Sequence, residues 1–304
     1  MREFKSKILI FGEYGLMKGA SALSMPFAEF KGKLSLELGS PKAAESNQSL
    51  REFFNHLQAN GLDSQLNFPL DLDRFQDEIS QGLWFDSNIP QQYGVGSSGA
   101  LVAALYDRYS SIGISHPGDI SNLPIDKLKA DFSILESYFH GTSSGLDPLV
   151  SYLDSPILLG STSNLKTVPL EQHQQIKMFL VDTKVCGATA PLVNYFIRKV
   201  NQHWFLQKLV SHFIPVNDFC IEHFLSGDPD LFFPEMYKLV DFQLRHLKRM
   251  IPTKYRKMIR ESLENKLFIK LLGSGGGGFL LGFASSEKSI DDFSKRYQLE
   301  VIRI

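Results

Sequence analysis

Residues 94–99 have the sequence Gly-Val-Gly-Ser-Ser-Gly and run directly into an amphipathic helical pattern, ALVAALYDRY, at residues 100–109. Glycine lets the backbone approach a ligand closely, and the N–H groups at a helix N-terminus form an anion site. The hydroxyls of Ser97 and Ser98 add groups that can bind a phosphate oxygen or a Mg²⁺ ion. The segment therefore predicts a phosphate-binding loop, although a plain glycine-rich helix cap would carry the same residues.

Two other nucleotide-binding patterns fit this segment poorly. The dinucleotide-binding pattern G-x-G-x-x-G needs an apolar strand directly before the first glycine. Here the preceding residues, 87–93, are SNIPQQY, which is polar and contains a proline. A Walker A site needs Gly-Lys-Ser/Thr, and that triplet does not occur in the sequence.

A second glycine run, GSGGGG at residues 273–278, lies between apolar strand patterns at residues 267–272 and 279–283. So many glycines cost conformational entropy, whereas a hairpin turn needs only one or two. The run therefore predicts that another backbone, or a phosphate group, packs against it.

Two carboxylates flank a turn of small residues. Glu136 lies on a helical pattern, and Asp147 ends the segment HGTSSGLD at residues 140–147. Such a pair suits metal-dependent phosphoryl transfer, in which one carboxylate holds Mg²⁺ and the other accepts or orients a hydroxyl proton. Lys7, at the start of an apolar strand pattern, could neutralise charge on the transferring group. Taken singly, each residue also fits a structural role: a helix surface, a turn and a solvated strand end.

Composition and charge exclude several classes of protein. The 304 residues are enough for one large domain or two modest ones, and 43% hydrophobic with 21% charged residues is typical of a soluble globular chain. A net charge of −1 argues against a nucleic-acid or anionic-membrane partner. The basic run at residues 245–260 is interpreted as a solvated helical surface.

Cysteine usage and hydropathy favour a cytoplasmic location. Cys186 and Cys220 cannot form a disulfide framework and lack metal-ligand spacing. The apolar run at residues 8–11 is too short for a secretory signal, and the acidic residue Glu13 prevents its extension. No apolar stretch reaches the roughly 18 residues that a membrane helix needs.

Strand and helix patterns interleave, and the helices often come in pairs, which predicts an α+β fold. Strand patterns lie at residues 7–11, 33–38, 177–183, 267–272, 279–283 and 300–304. Helical patterns lie at residues 50–57, 71–83, 100–109, 125–140, 195–224 and 231–250, with Pro215 expected to break the fifth. The polar stretch at residues 161–175 is the best candidate boundary, so we expect domains at residues 1–165 and 166–304.

These segments, in this order, resemble the GHMP kinase superfamily from Lys7 to about Phe283. The family's central pattern, Pro-x-x-x-Gly-Leu-Gly-Ser-Ser-Ala, is similar to PQQYGVGSSG at residues 90–99. Its C-terminal glycine motif is similar to KLLGSGGGG at residues 270–278. Both motifs in one chain at this separation make a specific signal, which neither makes alone.

Within the superfamily the sequence most resembles mevalonate kinase. The pattern that ends in Gly-Glu-His corresponds to KILIFGEY at residues 7–14, with Tyr14 in place of the histidine. The pattern Glu-x-x-x-His-Gly-x-Pro-Ser-Gly-x-Asp corresponds to residues 136–147, with Ser143 in place of the proline.

The resemblance implies an α+β, two-domain GHMP kinase fold, with an N-terminal ribosomal-S5-like domain, a C-terminal ferredoxin-like domain and the active site in the cleft between them. It implies ATP and Mg²⁺ as cofactors, Asp147 as the catalytic carboxylate with Lys7 beside it, and Ser98 and Glu136 as Mg²⁺ ligands. The ATP phosphates would be held by Gly94, Val95, Gly96, Ser97, Ser98, Gly99, Gly275 and Gly276. The acceptor would contact Glu13, Tyr14, Ser144 and Thr189.

The implied activity is phosphorylation of a small alcohol by ATP, with the 5-hydroxyl of mevalonate as the expected acceptor, in a monomer or homodimer. Tyr14 leans toward phosphomevalonate kinase, which usually has Gly-Glu-Tyr. Gly187 and Ala190 instead favour mevalonate, which has no phosphate group. They occupy positions where basic residues are expected, and a phosphorylated acceptor needs Arg or Lys. The alternatives are phosphomevalonate kinase, another small-molecule kinase of the superfamily such as a sugar kinase, and a non-catalytic sensor of the same fold.

Overall fold

The computed structural model describes residues 1–37, 41–112, 123–161, 164–170, 175–187 and 189–304. Its strands are β1 Glu3–Phe11, β2 Ala22–Ser35, β3 Trp84–Ser87, β4 Ile157–Leu159, β5 Leu165–Thr167, β6 Lys177–Asp182, β7 Phe268–Leu271, β8 Phe279–Ala284 and β9 Val301–Arg303. Its α-helices are α1 Pro41–Ala59, α2 Leu72–Ser80, α3 Ser97–Tyr109, α4 Ile125–His140, α5 Leu146–Leu153, α6 Thr189–Val200, α7 His203–Lys208, α8 Ile214–Ser226, α9 Pro229–His246, α10 Thr253–Glu264 and α11 Glu287–Tyr297. This mixture confirms the α+β prediction.

The chain forms two compact units that interleave along the sequence. The first consists of Met1–Lys7, Met25–Pro90 and Gly96–Ser155. Its centre is α3, which packs against α4 and α5 and is buried along most of its length. Tyr106, Phe132 and Tyr152 bring one aromatic ring each from these three helices into edge-to-face contact. The second half of β2 pairs antiparallel with β3 in this unit.

The second unit consists of Ile8–Ser24, Gln91–Val95 and Pro156–Ile304. It contains an antiparallel sheet in the order β7-β8-β6-β9, and the first residues of β2 pair with β4. Its core is strongly aromatic: Phe11 stacks on Phe283 at 5.6 Å between ring centroids, and Phe224 and Phe232 contact both rings edge-on. The last residues of β1 are thereby fixed to this unit.

A buried ion pair fixes the turn after β1 to β7. Lys270 on β7 is fully buried and donates to the carboxylate of Glu13, which is also buried, and to the carbonyl oxygen of Leu271 at 2.7 Å. Charged groups that are buried away from water need such partners. Removing one partner destabilises the folded protein by far more than the intact pair stabilises it.

The long helical pattern at residues 195–224 is interrupted differently from the prediction. A break falls at residues 201–202, between α6 and α7, and a π-helical turn, Leu209–Phe213, joins α7 to α8. Pro215 lies in the first turn of α8, so the expected break at this proline is wrong. Proline lacks an N–H and its ring clashes with the carbonyl four residues earlier, and a wider π turn relieves both problems.

The candidate boundary at residues 161–175 contains β5, while residues 162–163 and 171–174 lie outside the described residues, as does Leu38 of the predicted strand 33–38. The division into domains at residue 165 stays a prediction. Within the described ranges, no helix combines the length and apolar character needed to cross a membrane.

Replacing Lys270 by methionine should lower the free energy of unfolding by about 3–5 kcal/mol, because it leaves a buried carboxylate without its lysine. Chemical denaturation in urea measures this change. The control is Lys238→Met, which removes an exposed pair with Glu235 and should change stability little. Adding Glu13→Gln to Lys270→Met should recover part of the loss. Equal losses in the two lysine variants would contradict this account.

Candidate active site

The N-terminus of α3 has no side-chain cap. Gly96 precedes the helix with a φ of 75° and makes no side-chain cap hydrogen bond. The first N–H groups of an α-helix have no partner within the helix, and they form its positive end. A Cβ at Gly96 would lie 2.7 Å from Cγ of Lys7, so the glycine also makes room for the lysine stem.

Lys7 and Asp147 form an ion pair in the same unit. The lysine is only 4% exposed, and its Nζ lies 2.8 Å from Oδ2 of Asp147. Asp147 lies in the first turn of α5, where the helix end also stabilises negative charge. The buried lysine is thus neutralised by a carboxylate whose side chain remains partly exposed.

A close approach of two helices positions this pair. A Cβ at Gly99, on the first turn of α3, would lie 2.8 Å from the carbonyl carbon and 2.9 Å from Cβ of Asp147. Real Cβ atoms do not tolerate such distances, so the absence of a side chain at residue 99 lets α5 begin directly beside α3.

Glu136, on α4, is 3% exposed and accepts hydrogen bonds at both carboxylate oxygens. Ser98 donates to Oε1 at 3.1 Å, and Ser143 donates to Oε2. Burial, with a smaller contribution from the charge of Asp147, raises the pKa of Glu136 to about 8. The carboxyl group therefore carries a proton much of the time at neutral pH, and a nearby cation would favour its ionised form.

His140 extends this chain of hydrogen bonds. Its Nε2 lies 2.9 Å from Oγ of Ser98, and loss of hydration lowers the pKa of His140, which favours the neutral ring. Both His140 and Ser143 belong to the segment singled out in the sequence, but no role was assigned to either side chain there. Ser143 stood out only as a departure from the family pattern.

The pair of Glu136 and Ser98 fits a Mg²⁺ site that is completed by a ligand. Mg²⁺ prefers oxygen ligands and is often held by one or two protein groups together with phosphates and water. Within the part of the chain that the structure describes, no group of three His, Cys, Asp or Glu side chains could hold a metal by itself. A cation at these oxygens would therefore need phosphate oxygens to complete its shell.

In the second unit, Tyr14 and Thr189 converge on Ser274, a residue that the sequence did not single out. The Tyr14 hydroxyl donates to the Ser274 carbonyl at 2.7 Å, and the Thr189 and Ser274 hydroxyls are 3.0 Å apart. Tyr14 has a positive φ of 57° and packs its ring 4.6 Å from that of Phe196, and burial raises its pKa. Glu13, predicted to contact substrate, is instead buried against Lys270.

The second glycine run packs against backbone. Gly278 donates its N–H to the Val185 carbonyl at 2.6 Å, and a Cβ there would clash with Tyr93. The N–H groups of Gly275 and Gly276 donate to the carbonyls of Leu272 and Met250, at 3.4 and 2.5 Å. Of the two packing partners expected for this run, the backbone is present. Phosphate binding by Gly275 and Gly276 stays a prediction.

The structure thus places the predicted residues in two groups. Lys7, Gly96, Gly99, Ser98, Glu136 and Asp147 converge in the first unit, where Ser144 is exposed in the turn before Asp147. Gly94 and Val95 belong to the second unit, as do Glu13, Tyr14, Thr189, Gly275 and Gly276. The catalytic and binding roles of all these residues remain proposals.

Comparison with known proteins gives matches at the level of structure only. No family model and no curated protein matches the sequence. Mevalonate kinase of L. major, in complex with R-mevalonate, superposes with a TM-score of 0.65 at 17% identity, covering 99% of this chain and 94% of that one. Phosphomevalonate kinase of Streptococcus pneumoniae, in complex with phosphomevalonate and AMPPNP, gives a TM-score of 0.63 at 13% identity, covering 100% and 99%.

The chain has the GHMP kinase fold. Galactokinase of Lactococcus lactis, complexed with galactose, matches equally well, with a TM-score of 0.65, 13% identity, and coverage of 99% of this chain and 92% of that one. The predicted fold class is therefore confirmed over nearly the whole length. Because solved structures in complex with mevalonate, phosphomevalonate and galactose match alike, the fold does not select among these small molecules.

Replacing Glu136 by glutamine should stabilise the GHMP kinase fold in the absence of ligands. The folded-state pKa of about 8 exceeds the ordinary value of 4.5, so the folded protein loses stability from this group as pH rises from about 4.5 to 8. The glutamine side chain does not ionise, so the variant does not lose this stability as pH rises. Its gain in melting temperature should be small at pH 5 and larger at pH 8, as measured by scanning calorimetry. A gain that is the same at both pH values would contradict this assignment.

Proposed function

We propose that the protein is a small-molecule kinase that transfers the γ-phosphoryl group of ATP to an alcohol, with mevalonate as the acceptor. The observation that carries the proposal is the Lys7–Asp147 ion pair beside the uncapped N-terminus of α3. That arrangement offers an anion site, a buried cation and a partly exposed carboxylate in one place, and these are the groups that phosphoryl transfer uses.

Each group has a role that follows from its surroundings. The free N–H groups at the start of α3 would hold the ATP phosphates, as helix N-termini do for anions. Asp147 would accept a hydrogen bond from the acceptor hydroxyl and orient its oxygen toward the γ-phosphorus. Lys7 would neutralise charge that builds up on the transferring group. The Asp147 carboxylate would first orient the hydroxyl and would take up its proton as the bond between the acceptor oxygen and the γ-phosphorus forms.

Ser98 and Glu136 would hold Mg²⁺, which supplies charge neutralisation to the phosphate oxygens when bound. The remaining contribution of the chain is positioning. Holding the hydroxyl and the phosphoryl group in line removes much of the entropic cost of their encounter.

An acceptor without a phosphate group is favoured by the chemistry around Thr189. Tyr14, Thr189 and Ser274 present hydroxyl groups, and the ammonium of Lys270 is already neutralised by Glu13. The positions where basic residues were expected hold Gly187 and Ala190. A phosphate dianion normally binds several Arg or Lys side chains, whereas the single carboxylate of mevalonate needs fewer.

Changing Asp147 to asparagine should lower kcat by about 100-fold or more, with little change in ATP affinity, because the amide cannot accept the hydroxyl proton. A coupled assay of ADP release measures kcat, and calorimetric titration with AMPPNP measures affinity. The matched control is Asp154→Asn, which removes a carboxylate paired with Lys5 in the same unit. Retention of more than about a tenth of the turnover by Asp147→Asn would remove Asp147 from the catalytic role.

Acceptor preference is measured by kcat/KM for mevalonate, phosphomevalonate and galactose at saturating MgATP. We expect mevalonate to exceed both others by at least about tenfold, for the charge reason given above. A preference for phosphomevalonate or galactose would overturn the mevalonate assignment and keep the kinase. Nucleotide binding without turnover of any alcohol would instead favour a sensor.

A further inference from the structure

Glu136 is held between hydroxyl groups on both of its carboxylate oxygens, and one of them comes from Ser143. The Ser143 hydroxyl donates to Oε2 and accepts the N–H of Gly145 at 3.0 Å. It is therefore fixed by the turn that leads into α5, and it fixes Glu136 in return. A proline, which the related sequence pattern has at this position, could make neither hydrogen bond.

The opposite side of Glu136 is fixed through Ser98. This hydroxyl has one proton, which it donates to Oε1 of Glu136 at 3.1 Å. The Ser98 oxygen also lies 2.9 Å from Nε2 of His140, so the ring holds the same hydroxyl group from a second side.

One chain of hydrogen bonds runs through Glu136. His140 contacts Ser98, Ser98 bonds to Oε1, and Ser143 bonds to Oε2. The two outer groups, His140 and Ser143, therefore restrain Ser98 and Glu136 from opposite ends of the chain. Such outer partners orient metal ligands, and their loss typically costs about 10–100-fold in metal affinity.

We infer that Ser143 and His140 are positioning residues that hold Glu136 and Ser98 in the orientation that binds a divalent cation together with nucleotide phosphates. This inference rests on the proposed function, because the cation is expected only with a nucleotide. It goes further because it assigns a role in cation binding to Ser143, which stands where the related sequence pattern has a proline.

The test measures cation binding without any acceptor or turnover. Mn²⁺ is titrated into the protein with saturating AMPPNP, and free Mn²⁺ is followed by electron paramagnetic resonance. Ser143→Ala should weaken Mn²⁺ binding by about tenfold or more, whereas Ser143→Thr, which keeps the hydroxyl, should bind as the unchanged protein does. The melting temperature of each variant without ligands is recorded alongside.

The matched control is Ser137→Ala. Ser137 lies on α4 next to Glu136 and is half-buried, and its hydroxyl donates to the Ser133 carbonyl at 2.6 Å. The same substitution there removes one hydrogen bond from the same helix without touching the carboxylate, and it should leave Mn²⁺ binding unchanged.

His140 is tested by the same titration. His140→Gln keeps a group that can hydrogen-bond to Ser98 and should retain most of the binding, whereas His140→Leu should weaken it, because Ser98 then loses one of the two hydrogen bonds that fix its hydroxyl group. The side chain lies at the exposed end of α4, so either substitution should leave the melting temperature close to that of the unchanged protein.

The outcomes distinguish a failure of this inference from a failure of the proposed kinase function. If the unchanged protein binds Mn²⁺ with AMPPNP and Ser143→Ala binds it equally well, the inference is overturned and the kinase proposal stands. If Ser143→Thr loses as much binding as Ser143→Ala, the hydroxyl is not the cause and the inference is overturned. If the unchanged protein binds no Mn²⁺ with AMPPNP, both are overturned together.

Discussion

The absence of a side chain at Gly99 determines how close α5 lies to α3. A Cβ at this residue would lie 2.8 Å from the backbone of Asp147, so even an alanine would push the start of α5 away. The same first turn of α3 carries Ser98, which bonds to Glu136, and Gly96, which makes room for the stem of Lys7. The convergence of three charged groups therefore depends on two glycines that flank the start of one helix.

Bringing these charged groups together lowers the stability of the folded chain when no ligand is bound. Lys7 and Glu136 are almost fully buried, and with Asp147 they form a cluster of one cation and two carboxylates. Burial disfavours the ionised form of Glu136, and the excess negative charge that Asp147 contributes adds to this effect, so Glu136 holds its proton to a higher pH than an exposed carboxyl group does. A bound cation would offset the same excess. The excess negative charge thus lowers the stability of the protein without a ligand, and it would also favour binding of a positively charged ligand. Such a compromise between stability and function is common.

The sequence predicted the parts of the fold whose patterns are local. The helix at residues 125–140 has the predicted bounds, and the glycine-serine loop leads into a helix as expected. Helix α5 was missed because its eight residues, LDPLVSYL, are buried on nearly all sides and show no alternation of polar and apolar faces. Strands β4 and β5 have three residues each, too few to show a period. The bond from Tyr14 to Ser274 joins residues 260 positions apart, and no local pattern encodes it.

Two residues that depart from the related sequence pattern form hydrogen bonds within the folded chain. Tyr14, in place of a histidine, donates its hydroxyl proton to the Ser274 carbonyl, and Ser143, in place of a proline, donates to Glu136. Each new hydroxyl group therefore has a hydrogen-bond partner in the folded chain. A chain that had no need of a cation would gain stability by replacing Glu136 with a neutral side chain. This chain instead keeps the carboxyl group of Glu136 and surrounds it with hydroxyl groups, which agrees with the cation site of the proposed function.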